Sequence, residues 1–245
     1  MFGYDREALQ GELATIIQNN ITTDAWAWLS QQGDITNTAS FNATFAMMPR
    51  KTGKGLIHIA PEQAEQLNTI RPGFTIEGWT ADRLGRVYLM LQADAIDQER
   101  YFAVIENLFL AAEMNELVAL YSALPILAYP ELWVKRCAEG IRSNIGSVLE
   151  AIMYYNPYPA EYLPEAAWNQ LVMKAIFTDK QLDLITGLNE RNNPELARIL
   201  MDFARERGAA GRSVVPELWH LASPFTDAGI VNAVKQQYST INTIN

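Results

Sequence analysis

The sequence predicts an all-α protein built from ten or more short helices. Apolar residues recur at three- and four-residue spacing through most of the chain, which is the periodicity of amphipathic helices. Strict alternation of apolar and polar residues is almost absent, and no Asn-Gly or Asp-Gly pair marks a β-hairpin turn. Short connections favour antiparallel neighbours, so we expect helical hairpins stacked into a solenoid-like or curved layer.

Composition limits the class of protein. The 245 residues are 49% hydrophobic and 19% charged, as in globular chains, and we expect one helical domain over residues 1–245. The net charge of −9 argues against binding to a phosphate backbone, so no nucleic-acid partner is expected. Cys137 is the only cysteine, so the fold cannot depend on an internal disulfide.

The N-terminus lacks the basic-then-apolar order of a signal peptide. The longest uncharged stretch, residues 117–130, contains two prolines and is too short to span a bilayer. We therefore expect a cytoplasmic protein without direct membrane insertion.

Local signals place the helices of the first half. Residues 34–59 are the least regular part, where we expect a short helix over 41–47 followed by a basic loop. Pro61 is typical of a first helical turn. The other helices expected before residue 130 cover residues 5–19, a segment around 26–29, 61–71, 81–93, 97–114 and 115–122.

The stretch Glu131–Asn169 is predicted to supply the central packing helix and a proline-stiffened elbow. Pro130 opens this helix, and its elbow is Asn156-Pro157-Tyr158-Pro159, where two prolines disfavour the α conformation. The apolar stripe predicted to face the core consists of Ala138, Ile141, Ile145, Val148, Leu149 and Ile152. Later helices are expected over 164–177, from an Asn193 cap to Gly211, and over 227–238.

The basic segment 48–55 makes Arg50 and Lys54 candidates for holding an anion. A P-loop in this register requires glycine at 48 and Ser or Thr at 55, but the chain has Met48 and Gly55. Cations beside glycine amides can still hold a carboxylate or phosphate. A solvated surface loop is the favoured interpretation.

No local pattern indicates a metal, a cofactor or a nucleophile. His58 and His220 are the two histidines, and neither has a ligand partner at helical spacing. No G-x-S-x-G elbow is present, and Cys137 is expected to be a buried small residue. We assign no catalytic residue, no metal and no cofactor, although a Ser-His-Asp or Cys-His arrangement assembled by the fold stays open.

Glu139 and Arg142 are three residues apart, close enough for an ion pair on a helix surface. If neighbouring helices cover that face, the two residues become candidate ligand contacts. Glu139 and Glu150 would be about 16 Å apart along a continuous helix. That distance is too long for paired-carboxylate catalysis.

Glu190 and Arg191 precede a helix N-terminus, which favours anions. The favoured alternative is that Asn193 caps this helix and that Arg191 pairs with a nearby acid. Arg198 follows in a run of alternating charges, which first indicates a salt-bridged helix face. All three remain candidate ligand contacts.

Two long strings resemble the EboA family: AEGIRSNIGSVLEAIMYYNPYPAEYLPEAAWNQLVMKAIF from Ala138 and GLNERNNPELARILMDFARERGAAGRSVVPELWHLASPF from Gly187. The earlier FAMMPRKTGK fits the same pattern less specifically, and the first forty residues add little. Arg142-Ser143-Asn144 lies within the first string, which adds Asn144 to the candidate contacts. Gly208 departs from the pattern, because a tryptophan is expected there.

The resemblance implies a role among the products of a gene cluster that moves a secondary-metabolite precursor toward the periplasm. Partners implied are other products of that bacterial cluster, including a prenyltransferase-like membrane protein, through which the chain would lie peripheral to the inner membrane. The first hypothesis is a non-catalytic binding or scaffold protein for a partner protein or a metabolite. The alternative is an enzyme with a non-local site, in which Arg50 or Lys54 would act with Glu139, Arg142 or Glu190 on a small anionic or aromatic metabolite.

Overall fold

The computed structural model of the protein describes residues 2–241, and regular structure within them is helical. The described residues form fourteen α-helices and four short 3₁₀ helices, with one isolated antiparallel bridge between Leu56 and Thr80. The all-α prediction is therefore confirmed. The chain divides between Leu163 and Pro164 into two compact units, which are described separately. The prediction of one domain over residues 1–245, like that of a curved layer, stays a prediction.

The first unit contains ten α-helices among its described residues. They are α1 (Arg6–Asn20), α2 (Thr23–Leu29), α3 (Thr38–Thr52), α4 (Pro61–Ile70), α5 (Ala81–Gln92), α6 (Gln98–Ala111), α7 (Met114–Ala123), α8 (Val134–Gly140), α9 (Gly146–Met153) and α10 (Tyr158–Tyr162). Two 3₁₀ helices, Leu124–Ile126 and Pro130–Trp133, connect α7 to α8.

Side-chain caps explain where several of these helices begin. Asp5, Thr22, Asn37 and Asp97 each accept a hydrogen bond from a backbone N–H of the first turn that follows. Pro61 occupies the first turn of α4, where its missing N–H costs nothing. The predicted starts of α1 and α4 are confirmed within one residue.

Helix α5 forms the centre of the first unit. It packs against α1, α3 and α7, and nearly every residue from Ala81 to Leu91 is buried. A charged side chain that such a helix buries almost completely must find a neutralising partner nearby. Arg86, 3% exposed, does so through Asp82 at 2.7 Å and Glu116 at 3.8 Å.

Helix α3 continues through Pro49, where the sequence predicted a loop. Proline has no N–H, so the carbonyl of Phe45 lacks its usual helical donor. The Nε of Arg86 donates to that carbonyl at 3.0 Å and replaces the missing bond. The prediction of a short helix and a basic loop was wrong here, because Arg50 and Lys51 form the last turn of α3. The helix ends at Gly53, whose φ of 79° suits glycine.

The predicted central helix is broken into α8 and α9. After Gly140 the backbone tightens to three-residue hydrogen bonds, with Arg142 N donating to Glu139 O and Ser143 N to Gly140 O. The Ser143 hydroxyl then accepts from Ile145 N and competes with helix continuation. The prediction of one continuous apolar stripe was therefore wrong, because Ile141 is buried but Ile145 is exposed. The predicted distance of about 16 Å between Glu139 and Glu150 no longer applies, because it assumed that both residues lie on one continuous helix.

Gly140 allows α8 to approach its neighbours closely. A Cβ there would lie 2.6 Å from Ile152 Cδ1 and from the Tyr121 ring. Gly140→Ala is expected to lower the free energy of unfolding by about 1–3 kcal/mol through overpacking. Gly11→Ala, on α1 where an added Cβ meets nothing within 4 Å, should instead raise it by about 0.5–1 kcal/mol. Urea unfolding followed by circular dichroism measures both, and shifts of the same sign would contradict the close approach.

The second unit is organised around α12. Its helices are α11 (Glu165–Phe177), α12 (Pro194–Ala209), α13 (Pro216–Ala222) and α14 (Ala228–Ile241), with 3₁₀ helices Leu182–Leu184 and Ser223–Phe225. Helix α12 packs against the other three α-helices of the unit. The predicted cap is confirmed, since Asn193 Oδ1 accepts from Leu196 N at 2.9 Å. No helix of residues 2–241 is both long and apolar enough to cross a membrane.

Candidate functional site: a cavity at Arg83

A cavity of about 240 Å³ lies in the first unit, bordered by the turn before α5 and by α5, α7 and α9. We call it the Arg83 cavity, because Arg83 is the cation in its wall. Its lining residues are Phe74, Thr75, Glu77, Trp79, Arg83, Val118, Ser122, Ser147, Glu150, Ala151, Tyr154, Tyr155 and Asn156. The wall thus combines four aromatic side chains, two hydroxyls contributed by serine, and groups of both charges.

The guanidinium of Arg83 is held from two sides. Its Cζ lies 4.2 Å from the centre of the Trp79 ring, within range for a cation–π contact. Its Nε donates to Ser122 Oγ at 2.9 Å, while that hydroxyl donates to the carbonyl of Val118. Because the Ser122 proton is used within α7, its oxygen is left to accept from Arg83.

Trp79 is held in place by contacts that do not involve Arg83. Its carbonyl accepts from Ile57 N at 2.9 Å, and its ring meets Phe74 edge-on with centroids 5.8 Å apart. The side chain is buried at 6% exposure. The aromatic partner of the guanidinium is therefore a rigid part of the unit.

The opposite wall comes from the elbow after α9. Asn156 Nδ2 donates to the carbonyls of Tyr121 and Ala151, and Asn156 Oδ1 accepts from Tyr158 N. Tyr155 adopts a φ of 50°, uncommon for a non-glycine residue, and its side chain is 52% exposed. The predicted break after α9 is confirmed, but the prediction that residues 156–159 form a non-helical elbow was wrong, because Tyr158 and Pro159 begin helix α10.

The electrostatics of the cavity centre on Arg83. Burial lowers the pKa of its guanidinium to about 10, so the group remains charged near neutral pH. Within residues 2–241 no carboxylate lies at ion-pair distance from it. Glu77 lines the cavity from an exposed position, and Glu150 is half-buried.

Two arginines of this unit, Arg71 and Arg86, are buried and have their charges neutralised by carboxylates. Arg71 forms a two-pronged pair with Glu161, at 2.8 and 2.5 Å, and also donates to the Pro125 carbonyl. Arg86 is paired with Asp82. Arg83 differs from both because its described partners are a hydroxyl and an aromatic ring, which leave its charge uncompensated.

Comparison with known proteins places the chain in a family. The family described as "Metabolite traffic protein EboA" matches residues 9–223. The chain belongs to the EboA family. No curated protein and no solved structure gives a significant match. The family description is consistent with a role in handling metabolites.

The family match begins at residue 9, well before the string FAMMPRKTGK at Phe45, and so includes most of α1 and all of α2 and α3. It also includes every residue that lines the Arg83 cavity. The cavity is therefore built entirely from the EboA-matched part of the chain.

The candidate residues at the end of α3 lie on the surface. Arg50 is exposed in the last turn of the helix, and Lys54 is exposed just after Gly53. Neither lines any of the four cavities described in the chain.

The candidates around α8 form a partly exposed charged group. Glu139 is joined to Arg136 at 2.9 Å and to Lys135 at 4.0 Å. Arg142 and Asn144 are exposed in the break before α9. Like Arg50 and Lys54, these residues lie outside the four cavities.

The candidates in the second unit border the start of α12. Glu190 is exposed, and the Arg191 guanidinium lies 5.1 Å from the centre of the Trp168 ring. Arg198 pairs with Glu195 at 2.7 Å and Asp202 at 2.9 Å, which confirms the predicted salt-bridged face. Among six of the candidate residues of the described chain, Arg50, Lys54, Glu139, Arg142, Glu190 and Arg198, no side-chain hydrogen bond or ion pair joins any two.

Sequence reasoning missed Arg83 and Trp79. One signal was available: Trp79 precedes the predicted start of a helix and Arg83 lies in its first turn, so the two side chains are close neighbours in the chain. The rest of the wall comes from residues 118–122 and 147–156, which only the fold brings to α5.

The other chemically distinctive residues do not form a second centre in the described chain. No group of three or more His, Cys, Asp or Glu side chains within residues 2–241 is placed to hold a metal. Cys137 is buried, and desolvation raises the pKa of its thiol well above the ordinary value. This agrees with its expected role as a small core residue.

Proposed function

We propose that this EboA-family chain is a non-catalytic binding protein that holds a small metabolite in the Arg83 cavity. The observation that carries the proposal is a partly buried, uncompensated cation in an aromatic-walled cavity. Concave sites with apolar walls and a few placed polar groups are typical of small-molecule binding. The family description, a metabolite traffic protein, supports a cargo role for the bound molecule.

Native mass spectrometry of the chain purified from cells of the organism that encodes it tests this proposal. The expected result is a complex heavier than the free chain by the mass of one small molecule. Ser147 lines the cavity from an exposed position on α9, so Ser147→Trp should fill the cavity and remove that complex. Gln18→Trp, at an exposed position on α1 outside the cavity, is the matched control and should retain it.

Two results would contradict the proposal. One is a wild-type chain that carries no small molecule from its own cells. The other is a bound molecule that Ser147→Trp and Gln18→Trp retain equally, which would place the binding site elsewhere.

The resemblance extends the proposal to a protein partner. We infer that the chain delivers or receives its cargo from another product of the same secondary-metabolite gene cluster, including a prenyltransferase-like membrane protein. Such a partner would place a cytoplasmic chain at the inner membrane. A pull-down from the native host that recovers no cluster product would remove this part of the proposal.

The alternative, an enzyme using Arg50 or Lys54 with Glu139, Arg142 or Glu190, depends on these side chains sharing a site. They lie outside the cavities described above, so we do not base a second proposal on them. The same mass-spectrometric experiment addresses it, because an enzyme would convert the released molecule when it is returned to the purified chain.

A further inference from the structure

We propose that the ligand of the Arg83 cavity is a planar aromatic molecule carrying a single carboxylate. This inference rests on the proposed function, since it names the class of molecule held in the cavity. The carboxylate would lie against the terminal nitrogens of Arg83, and the aromatic body would lie among the ring side chains of the wall.

The carboxylate follows from the hydrogen-bonding capacity of Arg83. A guanidinium has five N–H donors, and Arg83 uses its Nε–H on Ser122. Within residues 2–241 no hydrogen bond is made by its two terminal nitrogens. That edge matches the two oxygens of a carboxylate in spacing and charge. Trp79 and Ser122 fix the plane of the guanidinium, so the direction of approach is also fixed.

A single negative charge follows from the rest of the wall. The Glu77 carboxylate lines the same cavity, so the second negative charge of a dianionic phosphate would be repelled by it after the first is neutralised by the guanidinium. A monoanion satisfies Arg83 while adding less repulsion. The charges of the wall therefore favour a carboxylate over a phosphate.

The planar aromatic body follows from the wall and its size. Phe74, Trp79, Tyr154 and Tyr155 border the cavity, and aromatic side chains favour stacked or edge-on contacts with other rings. The volume of about 240 Å³ lies below the range typical of drug-sized ligands. It suits a molecule of one or two rings rather than a long chain.

Isothermal titration calorimetry with three probes tests the inference. The probes are 2-naphthoate, its neutral counterpart 2-naphthalenemethanol, and its fully saturated, non-planar counterpart decahydronaphthalene-2-carboxylate. We expect the wild-type chain to bind 2-naphthoate roughly tenfold or more tightly than either other probe. Each comparison changes one property, the charge in the first case and the flat ring in the second.

Variants then locate the carboxylate contact. Arg83→Gln should weaken 2-naphthoate binding by roughly ten- to a hundredfold and leave 2-naphthalenemethanol nearly unchanged. Arg100→Gln makes the same charge change at an exposed site on α6 and should leave both unchanged. Arg83→Lys retains the charge without the two-pronged edge and should give an intermediate loss. If Arg83→Gln fails to fold, the Arg83→Lys variant and the comparison of probes with the wild-type chain still test whether Arg83 binds the carboxylate.

Failure of this inference is distinguishable from failure of the proposed function. Equal binding of the acid and the alcohol, or no binding of any probe, overturns the aromatic carboxylate. If the chain from its own cells still carries a molecule that Ser147→Trp removes, the binding function survives that result. If the chain neither binds the probes nor carries a molecule from its own cells, both the inference and the proposed function are contradicted.

Discussion

Arg86→Met is expected to lower the free energy of unfolding by about 3–5 kcal/mol, the largest effect of a charge deletion in the first unit. The substitution leaves the Asp82 carboxylate, 7% exposed, buried without its partner at 2.7 Å. It also removes the donor that satisfies the Phe45 carbonyl across from Pro49. Methionine fills much of the same volume, so the loss comes from unpaired polar groups rather than from an empty space.

Urea unfolding followed by circular dichroism measures this loss, with two controls. Arg100→Met removes an exposed arginine whose pair with Asp97 spans 3.7 Å, and should change stability by no more than about 0.5 kcal/mol. The double variant Arg86→Met with Asp82→Leu removes both buried charges and should recover much of the stability. An Arg86→Met variant as stable as Arg100→Met would show that the buried pair does not secure α5.

Trp133→Ala is expected to cost about 3–5 kcal/mol, because it empties the most crowded aromatic site of the first unit. Trp133 is fully buried, and its ring contacts those of Tyr101, Phe102 and Phe109. Its Nε1 also donates to the buried Ala128 carbonyl at 2.9 Å. The side chain therefore contributes both packing and a hydrogen bond.

A second substitution separates these two contributions. Trp133→Phe retains an aromatic ring but leaves the Ala128 carbonyl without this donor, and should cost about 1–3 kcal/mol. Trp28→Ala, at a half-buried position where Lys51 lies over the ring, is the reference for losing a less buried tryptophan. Thermal melts in which Trp133→Ala is no more harmful than Trp28→Ala would contradict the core role.

The helix boundaries that could be predicted are those fixed by local chemistry. The Asn193 cap and the Pro61 start each depend on residues within one turn of the boundary. Apolar spacing was enough to identify the class of fold, because helical periodicity is also a local property.

The errors occurred where a distant residue decides the local structure. Pro49 predicted the end of a helix, but Arg86, 41 residues away in the chain, supplies the missing hydrogen bond. The break at residues 141–145 looked helical by its apolar spacing, whereas the Ser143 hydroxyl and the close packing of Gly140 end α8 there.

The candidate site was missed for a similar reason. Sequence reasoning selected charged clusters such as Arg50 with Lys54, which are visible in the chain but exposed in the fold. The distinctive feature of Arg83 is that it is partly buried without a carboxylate partner. That property belongs to its surroundings on α7 and α9, and no local pattern contains it.

The way Trp79 and Ser122 hold Arg83 has a consequence for how quickly cargo can be exchanged. The guanidinium is oriented before any ligand arrives, so binding need not immobilise that side chain, and the entropy lost on association is smaller. Tyr155 and Glu77 keep part of the wall in contact with solvent, so departure requires no segment to unfold. For the ligand that we propose, the fixed guanidinium would favour tight binding, and the open wall would let the ligand enter and leave without a conformational change.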